Sequence, residues 1–141
     1  MALDFRKEFA VDKNLEEQGS KMELDEETYL FVRPTTYIPY RNAFAKEVTK
    51  NRRSLKKPGA IDAFNKKVNT KLVAEYLVTG WEGELTDGDK VLNFSSDVMA
   101  DLFQRYPNLL DEVLVFAADL ENYREEVIQE LANELRVVPS S

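Results

Sequence analysis

The C-terminal third of the chain has apolar side chains every three or four residues, which is the spacing of one face of an α-helix. We expect one long helix from Asn108 to about Leu135, with a bend near Asp119, where the stripe thins. Such a helix must pack its apolar face against other elements or offer it to a partner. The stripe consists of Leu110, Val113, Leu114, Ala117, Leu120, Tyr123, Val127, Leu131 and Leu135.

Three shorter helices are predicted before it. The first begins at a cap formed by Thr35 or Thr36, and the break at Lys57-Pro58-Gly59 separates it from the second, which is expected to end at Gly80. The third begins at Ser95 or Ser96 and ends before Pro107. The first two have apolar stripes of Tyr37, Tyr40, Phe44 and Val48, and of Ile61, Phe64, Val68, Leu72 and Tyr76.

The segment KMELDEETYLFVRP near the N-terminus predicts a β-hairpin, because strand formers flank an acidic turn and Pro34 ends the second strand. A lone hairpin is marginal in water and must pack on helices. The predicted fold is therefore mainly α, a small helical domain with an N-terminal β-hairpin packed on it, α+β at the margin. We expect a flexible lead-in over 1–20, a single domain over 21–135 and a tail over 136–141.

The chain contains neither histidine nor cysteine. Imidazole and thiolate are the commonest catalytic bases, nucleophiles and zinc ligands. We therefore expect no enzyme, no catalytic residues and no cofactor. No apolar run approaches the roughly 20 residues that cross a bilayer, so no membrane partner is expected. The absence of cysteine fits a reducing compartment.

The segment VTGWEGELTDGDKVLNFSSD, residues 78–97, contains the single tryptophan of the chain, Trp81, and four nearby carboxylates. A metal site would use those carboxylates, but their spacing does not match a calcium-binding loop. The favoured interpretation is a structural corner, in which Trp81 closes a gap between helices and Asp87-Gly88 forms a tight turn. No metal is expected.

The charge of the chain is strongly uneven. Residues 41–71 have ten basic and two acidic side chains, a net charge of +8, whereas residues 72–141 have a net charge of −11. The basic face around Arg52, Arg53, Lys56 and Lys57 suits a solvated helix face or an acidic protein, with a nucleic-acid-binding module over 41–71 as the alternative. The overall charge of −7 makes nucleic acid the less favoured partner. The uneven distribution of charge also leaves self-association open, with the basic middle of one copy packed against the acidic helix of a second copy.

The far end of the last predicted helix is the candidate partner-binding surface. Its apolar residues lie furthest from the rest of the chain, among many acidic residues, and an uncovered amphipathic helix is a common surface for binding another helix. The candidate residues are Tyr123, Val127, Leu131 and Leu135.

The order of these segments resembles the tail assembly chaperones of long-tailed bacteriophages. The resemblance extends over roughly residues 11–130, and its most specific part is Gly80-Trp81-Glu82-Gly83, then Asp87-Gly88, a serine cap, Pro107 and the following NYREE. Two departures are the Asp89-Lys90 end of the acidic turn and Tyr123, where phenylalanine is usual.

The resemblance implies a non-enzymatic function in the bacterial host cytoplasm. Such chaperones bind the helical tape-measure protein, help recruit tail-tube subunits, and are absent from the finished virion. The alternative within phage biology is a structural tail component, such as a connector or terminator, that remains in the virion.

Overall fold

The computed structural model describes residues 2–6 and 10–124, and the predictions for Val127, Leu131, Leu135 and the tail lie outside these residues. The helices of the described part are α1 (Lys13–Gln18), α2 (Ile38–Lys50), α3 (Ala60–Leu72), α4 (Ser96–Arg105) and α5 (Pro107–Ala118). A π-helical turn, Val73–Leu77, continues α3, and 3₁₀ turns cover Ser54–Lys56 and Leu120–Tyr123. The strands are β1 (Ser20–Glu23), β2 (Tyr29–Val32), β3 (Val78–Glu82), β4 (Thr86–Asp87) and β5 (Lys90–Val91).

The predicted N-terminal hairpin and the mainly helical fold are confirmed. The hairpin β1–β2 is antiparallel, with Met22 opposite Leu30, and β2 then pairs with β3 to complete a three-stranded sheet. On β2, Leu30 and Val32 face the core and are almost completely buried. The helical layer packs on this face, with Leu77, Phe103 and Val113 among its most buried side chains.

The prediction that the second helix ends at Gly80 is wrong, because the helix ends at Leu77 and β3 follows at once. Gly80 lies opposite Phe31 in the central strand of the sheet. Residues 78–82 form a strand because their backbone groups hydrogen-bond to β2. The sequence does not indicate this change from helix to strand, because Tyr76 continues the helical spacing from Leu72.

The helix starts agree with the sequence at two places and differ at one. The Ser95 hydroxyl accepts a hydrogen bond from the Val98 N–H at 3.0 Å, so Ser95 is the cap of α4, and Pro107 is the first residue of α5. The expected cap of α2 at Thr35 or Thr36 is wrong. That helix begins after Tyr37, which has no side-chain capping bond, and Pro39 in its first turn leaves one fewer N–H to satisfy.

The predicted lead-in over residues 1–20 includes helix α1, which begins after Asp12. The Asp12 carboxylate caps α1 by accepting from the Asn14 and Leu15 N–H groups. The Asp12 N–H donates to the Tyr123 carbonyl at 2.8 Å, which attaches this helix to the end of the domain. The contact between Asp12 and Tyr123 joins residues 111 positions apart, so local sequence patterns do not reveal it.

Up to residue 124, where the description ends, the predicted long helix is interrupted at the expected place, near Asp119. Helix α5 ends at Ala118, Asp119 has an extended backbone, and a 3₁₀ turn follows over Leu120–Tyr123. The Asp119 carboxylate caps this turn through the Glu121 N–H. The bend turns Tyr123 into the domain.

Candidate functional site

Trp81 lies on β3, opposite Leu30 of the central strand, and not between helices as expected. Its side chain is half-buried, and its ring meets Phe94 edge to face at 5.2 Å. Phe94 directly precedes the capping Ser95 of α4. Trp81 therefore connects the sheet to the start of α4.

Asp87 and Gly88 lie at the tip of the β4–β5 hairpin, where Asp87 pairs with Lys90 and Gly88 has φ +62°. The Asp87 carboxylate accepts from the Tyr106 hydroxyl at 2.7 Å and from the Arg105 guanidinium. Arg105 also pairs with Asp101 at 2.8 Å. This network attaches the hairpin to the end of α4. Local sequence patterns do not reveal this network, because Asp87 and Arg105 are 18 positions apart in the chain.

The Asp87 network predicts an acid-sensitive contribution to stability. Hydrogen bonds from Tyr106 and Arg105 hold the pKa of the Asp87 carboxyl below its usual range. A carboxyl with a lowered pKa in the folded state stabilises the fold above about pH 4 and loses this effect as the pH falls through the lowered pKa. Asp87→Asn should therefore lower the midpoint of thermal unfolding near pH 7 and have a smaller effect near pH 2.

The control for this prediction is Asp89→Asn in the same hairpin. The Asp89 side chain is exposed and has no hydrogen bond to a described residue. Asp89→Asn should leave the difference between the thermal midpoints near pH 7 and near pH 2 the same as in the wild type. An Asp87→Asn protein with the same thermal midpoint as the wild type at both pH values would contradict the role of the network.

The expectation that Tyr123 is exposed is wrong. Its side chain is fully buried, its hydroxyl donates to the Val32 carbonyl at 2.8 Å, and its ring meets Phe116 edge to face. Burial raises the pKa of the Tyr123 hydroxyl. A stripe of apolar residues does not distinguish core from interface, and here the bend at Asp119 directs Tyr123 into the core.

The exposed apolar residue of the last helix is instead Val115, whose side chain is 72% exposed on α5. It borders an open groove of about 530 Å³ between α5 and β1. Met22 and Phe116 provide further apolar surface, and four carboxylates lie around it. We call this the acidic groove; its lining residues are Met22, Glu23, Asp111, Glu112, Val115, Phe116, Asp119 and Asn122.

The basic face lies at the tip of the helical hairpin formed by α2 and α3. Arg52, Arg53, Lys56 and Lys57 are all exposed between the two helices. Of the ten bases in residues 41–71, only Lys50 forms an ion pair with another described residue, at 3.7 Å from Glu47. The positive charge of this hairpin is therefore largely uncompensated by the described part of its own chain.

A second open groove, of about 690 Å³, runs along this hairpin between α2 and α3. Tyr40 meets Phe44 at 6.2 Å, and Phe44 meets Phe64 edge to face at 6.0 Å. The Tyr40 hydroxyl donates to the Asn69 side chain at 2.5 Å and joins the two helices. We call this the aromatic groove; its lining residues are Tyr40, Arg41, Phe44, Ala45, Val48, Thr49, Asn65 and Asn69.

Two further observations concern classes of site. In residues 2–6 and 10–124, no three carboxylates come together in an arrangement that could hold a metal ion. Within the same residues, no helix is both long enough and apolar enough to cross a membrane.

Comparison with known proteins identifies the family of the chain. The family model of the YdaY prophage protein matches residues 35–134, which is more than half of the chain. The chain therefore belongs to the YdaY prophage protein family, and the expected bacteriophage origin is confirmed. No curated protein and no solved structure matches the chain.

Proposed function

We propose that the chain is a tail assembly chaperone that binds a helical segment of the tape-measure protein in the acidic groove. The observation that carries this proposal is the 72% exposure of Val115 beside the carboxylates of Asp111 and Glu112. When a partner helix covers this exposed apolar side chain, its removal from water stabilises the complex. The prophage family and the resemblance in the sequence support a function in phage assembly.

The shape and charge of the acidic groove define the kind of partner. The apolar surface formed by Met22, Val115 and Phe116 suits the apolar face of a helix, and the surrounding carboxylates suit basic residues on its flanks. The partner is thus an amphipathic helix with lysine or arginine beside its apolar stripe. Recruitment of the tail-tube protein is part of the same proposal, and we assign no residue to it.

The proposal includes no catalytic step. Among the described residues, the carboxyls with a lowered pKa are Asp25 and Asp87, and both are explained by structural contacts. Asp25 accepts from the Thr28 hydroxyl and from backbone N–H groups in the turn between β1 and β2. Asp87 holds the β4–β5 hairpin. A perturbed carboxyl with such partners has a structural explanation.

Replacement of Val115 by aspartate tests the groove. The added carboxylate would have to be buried among acidic neighbours, so we expect the tape-measure protein to be retained at least tenfold less in a pull-down, equivalent to about 1.4 kcal/mol of binding free energy. Val115 is exposed, so the fold should survive, and the thermal midpoint serves as the check.

The matched control is Val91→Asp. Val91 is 54% exposed on β5 and does not line the acidic groove, so the same change of charge should leave retention of the tape-measure protein unchanged. Equal retention by wild type, Val115→Asp and Val91→Asp would show that the acidic groove is not the binding site.

A structural tail component is the alternative function, and it differs in one measurable respect. A chaperone leaves the assembled tail, whereas a connector or terminator remains in it. Mass spectrometry of purified virions should not detect the chain if it is a chaperone. Its presence in a fixed ratio to the tail-tube protein would favour the alternative.

A further inference from the structure

The acidic groove continues across α5 into a third open groove. This groove has a volume of about 300 Å³ and lies between α3 and α5. The exposed residue Asp111 lines both it and the acidic groove, so the two grooves share a border. We call it the middle groove; its other lining residues are Leu110 and Leu114 of α5 and Asp62, Asn65, Lys66 and Asn69 of α3.

The middle groove also continues into the aromatic groove. Asn65 and Asn69 lie one turn apart on α3, and both line the two grooves. Their side chains are half-buried, and Asn69 accepts the hydrogen bond from the Tyr40 hydroxyl. The three grooves therefore form one surface that extends from β1 across α5 and α3 to α2.

The charge of this surface changes along its length. The lining of the acidic groove has four carboxylates and no base, that of the middle groove has two carboxylates and Lys66, and that of the aromatic groove has Arg41 and no carboxylate. None of these carboxylates forms an ion pair within the described residues. Apolar side chains occur in every groove, among them Val115, Leu114 and Phe44. A helix that follows the surface therefore needs a continuous apolar stripe, with basic residues at the end that lies in the acidic groove.

We propose that one continuous helix of the tape-measure protein occupies all three grooves, with its more basic end in the acidic groove. This inference rests on the proposed function and extends its binding site. A single occupant is favoured because the same side chains, Asp111, Asn65 and Asn69, line adjacent grooves. The path crosses α3 and α5, each about 10 Å wide with its side chains, so the bound helix is at least about 20 Å long, or about 13 residues.

The test is photo-cross-linking of the full chain in complex with the tape-measure protein. A benzophenone amino acid replaces Ala45 in the aromatic groove, Val115 in the acidic groove, or Ala63, an exposed residue of α3 that lines none of the three grooves. We expect cross-links from positions 45 and 115 to one segment of the tape-measure protein, at sites about 13 residues apart or more. The site joined to position 115 should lie at the more basic end of that segment, and position 63 should give no cross-link.

The outcomes separate this inference from the proposed function. Cross-links from position 115 alone would overturn the continuous helix and leave the chaperone function standing. The same conclusion would follow if position 45 were joined to a distant segment of the tape-measure protein or to a second copy of the chain. Absence of cross-links from both positions would contradict the proposed function as well.

Ala45→Tyr tests the aromatic groove independently. Ala45 is exposed and lies between Arg41 and Thr49 on the side of α2 that lines the groove, so tyrosine fills the groove without entering the core. We expect at least tenfold lower retention of the tape-measure protein in a pull-down, with an unchanged thermal midpoint. Ala63→Tyr makes the same change on the opposite face of α3 from Asn65 and should leave retention unchanged. Equal retention by the two variants would show that the partner does not enter the aromatic groove.

Discussion

Replacing Tyr123 with alanine is expected to lower the free energy of unfolding by about 3–5 kcal/mol, the cost of removing a buried aromatic side chain. The ring is completely buried against Phe116, and its hydroxyl satisfies the Val32 carbonyl in the sheet. Loss of the ring leaves a cavity between the end of the helical layer and β2. The measurement is urea denaturation followed by circular dichroism, with the free energy extrapolated to zero denaturant.

Tyr123→Phe separates the hydroxyl from the ring. It should cost about 1–2 kcal/mol, because the buried Val32 carbonyl loses its donor from Tyr123. The control is Tyr29→Phe, since the Tyr29 hydroxyl donates to Glu26 at an exposed position and its loss should change stability by less than about 0.5 kcal/mol. If Tyr123→Ala unfolds at the same urea concentration as the wild type, Tyr123 is not part of the core.

Gly19→Ala is expected to destabilise the fold by about 3 kcal/mol or more. Gly19 has φ +91° at the junction of α1 and β1, a conformation that residues with a Cβ rarely adopt. A Cβ there would lie 2.7 Å from the Val32 nitrogen and 2.8 Å from the Phe31 carbonyl carbon, both backbone atoms of the central strand. Relief of this overlap requires the sheet or α1 to move.

Gly88→Ala is the matched control for Gly19→Ala. Gly88 also has a positive φ, of +62°, but a Cβ there would meet no atom within 4 Å. Gly88→Ala should lower the free energy of unfolding by about 1–2 kcal/mol, which is the cost of a left-handed backbone conformation for alanine. Equal losses of unfolding free energy for the two alanine variants would show that Gly19 does not lie this close to the backbone of β2.

The elements with strong local signals were predictable from the sequence. The serine cap at Ser95, the first helical residue Pro107 and the hairpin around Asp25 all depend on interactions within a few residues. The bend at Asp119 was predictable for the same reason, since the apolar stripe thins there. Such features can be predicted from sequence because the residues that interact are neighbours in the chain.

The strand β3 and the position of Tyr123 were not predictable, because distant residues determine them. Gly80 and Trp81 join a sheet whose central strand lies about 50 residues earlier in the chain. Tyr123 has an apolar ring and helical spacing, which fit an interface and a core equally well, and its partner Val32 lies 91 residues away. The two grooves likewise exist only after the helices and the sheet have packed.

The sequence predicted the exposed apolar surface at Tyr123, Val127, Leu131 and Leu135, of which Tyr123 lies within the described residues and is buried. Among the described residues of the acidic C-terminal region, α5 has the most exposed apolar side chain. The exposure occurs at Val115 and not at Tyr123, because the side of α5 that carries Val113 and Ala117 packs on the sheet and the helical layer. Only the packing of β1 beside α5 shows that Met22 completes the apolar surface of the groove.

Co-expression with the tape-measure protein of the same prophage, with and without this chain, tests the proposed function most directly. If the chain is a tail assembly chaperone, the tape-measure protein should change from insoluble to soluble when the chain is present. The two proteins should also be purified together through a wash at moderate salt. A tape-measure protein that remains insoluble and is not retained by the tagged chain would show that the chain is not its chaperone.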